Sequence, residues 1–477
     1  MSQLYLQSLP YQADSDTLLK LTGTLPGAIC LDSGKTRRRE ARYDILSALP
    51  SIQLEQHRRP GTDRPVVYQR KMAHGRWQPL AQVDIHEAAE LLLLAHQPSN
   101  AVQEALAHLP FTGGLLGWLA YPAGQDRRSG YRDNYLSDNA ARLQSQPEAG
   151  IGLYHWALIN DHHLQQCTLF ILPDCPPRIR DTVLARMMLT QSQPPSSADF
   201  ALTGEFSPLT SRRDYEQTFD RLKQYILAGD CYQANLAICF QADFQGDPLT
   251  AYLALRDQSR SPFSAFIRHG KNAILSLSPE RFLSVRGQTV TTQPIKGTRR
   301  RLTDKQADAK VIEGLTNSVK DQAENLMIVD LMRNDLGKVC LTGSVKTPEL
   351  FTLHSFSHVH HLISTVTGQL PADISPLNLL KHCFPGGSIT GAPKIRAMQI
   401  ISELEAVPRS IYCGSVFYLD FNGNMDSSIC IRTLLCDEQR IFCWGGGGIV
   451  ADSQFEREYQ ECHDKVMALM QTLEQLK

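Results

Sequence analysis

The sequence is notable first for what it lacks. Its 477 residues contain no CxxC pair, no apolar run of membrane length and no excess of one charge. Lys and Arg number 48 and Asp and Glu 49, so no net field favours nucleic acid or an anionic membrane. Twelve cysteines are scattered without the spacing of a zinc site or a disulfide framework. They read as reduced thiols, most of them small core residues. The longest apolar stretches, such as Ala88 to Ala95, fall far short of the ~20 residues a spanning helix needs. Met1 to Leu21 shows no basic stretch followed by an apolar one, so no secretory leader is expected and a cytoplasmic location is. No repeat of solenoid period is visible. One local cluster, Lys35-Thr36-Arg37-Arg38-Arg39, reads as a solvated loop or an anion contact.

What is present is a chain of mixed character. The run Gln193-Pro194-Pro195-Ser196-Ser197 has linker composition. It divides the chain into an N-terminal region, 1–190, a linker, 191–210, and a C-terminal region, 211–477. Beyond it, Ser211 and Asp214 have capping chemistry, and Tyr215, Phe219, Leu222 and Ile226 follow at helical spacing up to Gly229. Cys231 to Phe240 reads as a strand with Tyr232, Ala234, Leu236 and Ile238 on one face and Gln233 and Asn235 on the other. Ala273 to Val285 and Gln288 to Ile295 read as neighbouring strands joined at Arg286-Gly287. Strands adjacent in sequence are expected to pair antiparallel. The fold class is therefore α/β of the α+β kind rather than a doubly wound sheet.

Several residues could carry chemistry. Lys296, in Pro294-Ile295-Lys296-Gly297, sits at a strand end before what reads as a tight Gly turn. Desolvation there would favour its neutral, nucleophilic form; a side chain snorkelling from the strand end is the plainer alternative. Glu280 lies sixteen residues earlier, at a kink in Ser278-Pro279-Glu280-Arg281. Across a hairpin it could face Lys296 as a general acid, or it could simply pair with Arg281. Glu324 begins the buried stripe of a helix over Asp321 to Gly337; a helix N-terminus also favours an acid. On the last helix, about Gln454 to Leu476, Glu458, Glu461 and Lys465 share one face. Two carboxylates a turn apart can hold a hard cation, or form a salt-bridged surface. Trp444-Gly445-Gly446-Gly447-Gly448-Ile449 reads as a loop, either a plain tight one or an anion-binding nest. Pro385 to Lys394 is a second Gly-rich turn opening a helix, without the ending of a nucleotide P-loop.

Taken in order, these segments resemble the chorismate-utilising enzymes, whose members include anthranilate, isochorismate and salicylate synthases. The carriers are Ser278-Pro279-Glu280-Arg281-Phe282, Pro294-Ile295-Lys296-Gly297-Thr298-Arg299, Ala323 to Leu336 and Phe384 to Lys394. The match is dense over Ser211 to Leu473 and looser before it. The resemblance implies large antiparallel-rich sheets packed face to face with helices outside. It implies Lys296 as covalent nucleophile, Glu280 as proton donor and His361 as a site histidine. Gly297 and Thr298 would line the substrate ring, Tyr412 and Arg432 would meet the enolpyruvyl carboxylate, and Gly446, Gly447, Gly448 and Lys465 would cradle the ring carboxylate. Glu324 and Glu461, with Glu458 beside them, would bind Mg²⁺; Asp321 stands where relatives often have Glu. Gln233 occupies the position of a water-activating Lys in the isochorismate- and salicylate-forming relatives, and a neutral amide cannot be that base.

Anthranilate-forming relatives usually carry Ala where this chain has Lys296. The resemblance therefore implies amination of chorismate at C4, with anthranilate formation as the alternative. Ser33, Arg42, Tyr43, Pro262, Phe263 and Ser264 resemble the family's tryptophan pocket, with Glu40 and Ala41 in the weakest part of that match. The chain has no GxCxG elbow of a glutaminase, so ammonia is expected from solution or from a glutamine amidotransferase subunit in a heterodimer. Neither nucleic acid nor a membrane is an expected partner.

Overall fold

The computed structural model describes residues 3–34, 41–58, 64–72, 75–125, 138–188, 199–355 and 359–476. The basic cluster 35–39, Glu40 and the Pro-rich run 193–197 lie outside the described residues.

Two large sheets dominate, one of thirteen strands and one of twelve among the described residues, antiparallel throughout. In the first, Gln233–Gly246 and Arg440–Ile449 lie side by side, followed by Thr433–Cys436, Asn272–Ser278 and Phe263–His269. In the second, Ile295–Arg300 and Val359–Gln369 form one edge, with Thr289–Thr292 and Arg281–Arg286 next to them. The inner faces of both sheets meet in one core, where Ile45, Ile267 and Phe442 of the first sheet join Leu115, Phe282 and Phe417 of the second. The outer face of the first sheet packs under helices in a second core, which includes Trp156, Phe219, Leu236, Leu275 and Val466. Strands from both sides of residues 191–210 contribute to both sheets, so the compositional boundary is not a boundary of the sheets.

The α+β class and the face-to-face sheets follow the sequence expectation. Strand Gln233–Gly246 explains why. Its period of two sends Ala234, Leu236, Ile238 and Phe240 to the helix-covered core and Ala237 and Cys239 to the core between sheets. Helix Arg212–Leu227 is capped by Ser211 and buries Tyr215, Phe219, Leu222 and Ile226, as the spacing predicts. Tyr232 departs from its expected face: it precedes the strand and is 70% exposed.

Two further corrections matter for the site. Ala273 to Val285 is not one strand. Asn272–Ser278 belongs to the first sheet and Arg281–Arg286 to the second. Pro279, which lacks an N–H, cannot continue a ladder, and the Ser278 hydroxyl bonds the carbonyl of Ile429 at 2.6 Å at the crossing. Gly445 to Gly448 form neither a loop nor a nest but the end of strand Arg440–Ile449. Glycine is required there for close approach. A Cβ on Gly445 would lie 1.9 Å from the carbonyl of Cys462 on the last helix.

Candidate active site

The crossing at Pro279 places Glu280 at the junction of the two sheets, buried. The hairpin of Arg281–Arg286 and Thr289–Thr292 then returns the chain to Ile295–Arg300, which carries Lys296. Arg281, the alternative partner of Glu280, is instead bound to Asp426, with Nε 3.0 Å from its carboxylate. The Ser388 hydroxyl lies near the Glu280 carboxyl, close enough to favour its charged form, but makes no hydrogen bond among the described residues. Lys296 Nζ donates to the Ser388 carbonyl at 3.4 Å. Ser388 had no assigned role in the sequence; its signal was its place directly after the tandem glycines 386 and 387.

Burial pushes the Glu280 carboxyl above its ordinary value, against the pull of Lys296, Ser388 and the Ile295 amide. Burial draws the Lys296 ammonium down, against Glu280, with Lys465 lowering it further and Glu324 and Glu461 raising it. Both shifts favour the neutral forms, an acid that can donate and an amine that can attack.

Gly297 is a bulge rather than a turn. Its φ is +74°, and pairing with the neighbouring strand shifts there, from Lys296 opposite Leu362 to Thr298 opposite His361. A side chain at 297 would press on Leu315 at 3.0 Å and Asp321 at 3.1 Å. The extra residue re-aims the strand. Thr298 Oγ1 then lies 2.7 Å from His361 Nδ1.

The first sheet supplies the opposite wall. The ladder from Thr433–Cys436 to Arg440–Ile449 ends at Cys443, so Gly445 to Gly448 pair only with Gln233–Gly246 and keep one edge open. Arg432 lies just before Thr433–Cys436, at a φ of +50°, a conformation costly for a side-chain-bearing residue. Burial alone lowers its guanidinium pKa, and no acid among the described residues pairs with it. A part-buried cation without a carboxylate is costly, which marks it for an anionic ligand. Tyr412 is buried and stacks on Trp444, ring centroids 6.1 Å apart, with its hydroxyl over Gly446. Gln233 lies over Gly448, and its buried Oε1 has no hydrogen-bond partner.

Helix Phe455–Glu474 covers the glycine strand. A Cβ on Gly447 would sit 3.2 Å from Glu461 Oε1 and 3.3 Å from Glu458 Oε2, so both carboxylates overhang the same bare backbone. Glu324, on helix Val319–Gly337, is close enough to Glu461 for their charges to interact. The salt-bridge alternatives are also real. Lys465 Nζ is 2.6 Å from Glu461 Oε1 and donates to the Gly446 carbonyl at 2.6 Å, and Lys320 is 3.8 Å from Glu324. Asp321 is held by Arg299 at 2.8 Å. Among the described residues no three acidic, His or Cys side chains are packed to enclose an ion by themselves. A cation that keeps waters and takes substrate oxygens needs only one or two carboxylates. The space above Gly447 that a Cβ would fill therefore suits Mg²⁺, with Glu458 and Glu461 as its nearest holders and Glu324 behind them.

A separate cavity lies between the sheets, lined by Tyr43, Pro262, Phe263 and Ser264 together with Asp32, Arg286 and Asp426. Two residues expected there do not line it. Arg42 is bound to Asp161, with Nε at 3.0 Å and Nη2 at 2.7 Å. Ser33 bonds Asp44 through its amide at 2.8 Å and its hydroxyl at 2.7 Å. Their polar groups are taken by neighbouring acids.

The profile of the chorismate binding enzyme family matches residues 54–471. The chain belongs to this family. Within it, the chain is 43% identical over 473 residues to an aminodeoxychorismate synthase component 1 of Klebsiella aerogenes, covering 98% of each. It is 44% identical over 451 residues to the protein of that name from Escherichia coli, covering 94% of each. Among solved structures, anthranilate synthase component I from Streptococcus pneumoniae superposes with a TM-score of 0.75 at 28% identity, over 90% of this chain and 92% of that one.

Proposed function

We propose that this chain aminates chorismate at C4 to give 4-amino-4-deoxychorismate, a precursor of 4-aminobenzoate and folate. This is the activity class of aminodeoxychorismate synthase component 1. The observation that carries it is that Lys296 and the buried acid Glu280 lie near enough for their charges to interact, with Ser388 beside both. Gln233, where a water-activating base would stand, supports it.

The neutral Lys296 Nζ attacks C2 of chorismate. Both ring double bonds shift, C1=C2 to C1=C6 and C5=C6 to C4=C5, and the C4–O bond breaks. Glu280 gives its proton to the departing hydroxyl, which leaves as water, and recovers one from the alkylated Lys nitrogen. Ammonia then attacks C4, both double bonds shift back, and the C2–N bond breaks. The proton Lys296 takes as it leaves and the proton the new amine sheds both pass through Glu280. The net change is ammonia in and water out.

Arg432 and Tyr412 hold the enolpyruvyl carboxylate. The open edge of Gly446 to Gly448, with Lys465, receives the ring carboxylate; Gly297, Thr298 and His361 bound the ring. Glu458, Glu461 and Glu324 would hold Mg²⁺, which when bound neutralises carboxylate charge on the substrate. Ammonia comes from a separate glutamine amidotransferase subunit, in keeping with the "component 1" of the relatives' names. The inter-sheet cavity, lined by Tyr43, Phe263 and Tyr418 together with Asp32, Ser264 and Asp426, suits a bound tryptophan. No helix among the described residues is long and apolar enough to cross a membrane, in keeping with a cytoplasmic place.

The test is mass spectrometry of the product formed from chorismate and ammonium. A product that keeps its enolpyruvyl group is expected; anthranilate with released pyruvate would replace this reading by the alternative. In Lys296→Ala the covalent adduct is expected to vanish and amination to slow by about 10³-fold or more, ~4 kcal/mol of barrier. Undiminished product from that variant would remove the nucleophile role.

A further inference from the structure

The turn Val450 to Ser453 joins the glycine strand to the last helix, and its bonds converge on one carboxylate. Ser453 is buried. Its hydroxyl donates to Glu458 Oε1 at 2.7 Å. The Ser453 hydroxyl oxygen in turn accepts the Val450 amide at 3.1 Å. A hydroxyl has one proton to give, and here it goes to Glu458. One carboxylate oxygen is thus taken, while the other, Oε2, overhangs Gly447 beside Glu461 Oε1.

The turn is itself fastened from outside. Ser453 N bonds the Val450 carbonyl at 3.1 Å, closing it. Lys223, on helix Arg212–Leu227, donates to the carbonyls of Val450 at 3.3 Å, Ser453 at 3.1 Å and also Ala451. All three donors of its ammonium are spent on this turn. A Lys committed to three backbone carbonyls serves geometry, not surface charge.

The geometry points to Ser453 as the positioning residue for Glu458, and to Lys223 as the clamp on the turn that carries it. Together they present a single oxygen of Glu458 to the cation. Without Ser453 the carboxylate would be free to rotate, and both its oxygens would compete for solvent and for Lys465. The inference rests on the Mg²⁺ reading above.

Titration calorimetry with Mg²⁺, in saturating chorismate and without ammonium, tests it on the full chain. Ser453→Ala is expected to weaken Mg²⁺ about 10-fold or more, the scale of lost outer-sphere support, with unchanged stoichiometry and thermal midpoint. Ser453→Thr, which keeps the hydroxyl, should restore affinity to within a few-fold of the unaltered protein. Lys223→Met should weaken Mg²⁺ by a smaller factor. Glu461→Gln separates the two layers of the argument. If Glu461→Gln loses Mg²⁺ while Ser453→Ala binds as tightly as the unaltered protein, the positioning role is wrong and the metal reading stands. If neither variant changes Mg²⁺ binding, or the unaltered protein binds none, the metal reading fails and this inference with it.

Discussion

Two polar regions of this molecule differ in how their charges are answered. Under the N-terminal strands, the buried ions described have charged or polar protein partners: Arg256 meets Asp32 and Asp16 though its Nη2 is left over, Tyr252 is also on Asp32, and Asp44 takes Ser15, both polar groups of Ser33 and His162. In the candidate cleft the answers are missing or partial. Among the described residues Arg432 faces no acid, Gln233 Oε1 has no donor, and Glu280 and Lys296 are pushed toward neutrality rather than locked as ions. Closed networks hold a fold together; open ones await a substrate. The contrast also bears on Arg42 and Ser33, expected to contact a tryptophan: both are bonded to acids, and neither lines the cavity beside Tyr43.

The comparison can be broken most sharply at Glu280. Glu280→Gln keeps the shape and removes the transferable proton, so amination is expected to slow by about 10²–10⁴-fold. The same change removes the charge that holds the Lys296 pKa up. The Lys296 amine should then titrate at lower pH, read by its reactivity toward an amine reagent across pH. A shift upward would contradict the pairing.

Next comes a matched pair of arginines. Arg256→Met strands Asp32 in the core and should destabilise the protein by about 3–5 kcal/mol in urea unfolding. Arg432→Met strands nothing, so stability should hold or rise, while the KM for chorismate rises by roughly 1.5–3 kcal/mol of lost binding. Equal losses of stability in both variants would erase the distinction between the two regions.

The smallest effect concerns acid. Burial would raise the Asp44 carboxyl, yet the bonds from His162, Ser15 and Ser33 outweigh it and hold the pKa at about 2, below its ordinary value of 3.8. A depressed carboxylate contributes stability that is fully present above its unfolded-state pKa and lost as pH falls through the folded one. The stability gap between the unaltered protein and Asp44→Asn should therefore narrow from about pH 5 toward pH 2. A gap that widens on acidification would reverse the sign.

The sequence by itself determined the local elements and the inventory of chemistry. Helical spacing placed Tyr215, Phe219, Leu222 and Ile226 on a buried face, alternation set the faces of Ala234 to Ile238, and the ordered motifs named Lys296, Glu280 and the three glutamates. These are short-range signals, because a periodicity or a cap is complete within a few residues. Only the tertiary structure decided what met what. It split Ala273 to Val285 between two sheets, made a strand of Gly445 to Gly448, turned Gly297 into a bulge facing His361, and left Arg432 without an acid. Those outcomes depend on sheet register and on which backbones approach closely. Both are settled between strands far apart in the chain, where no local pattern of residues can specify them.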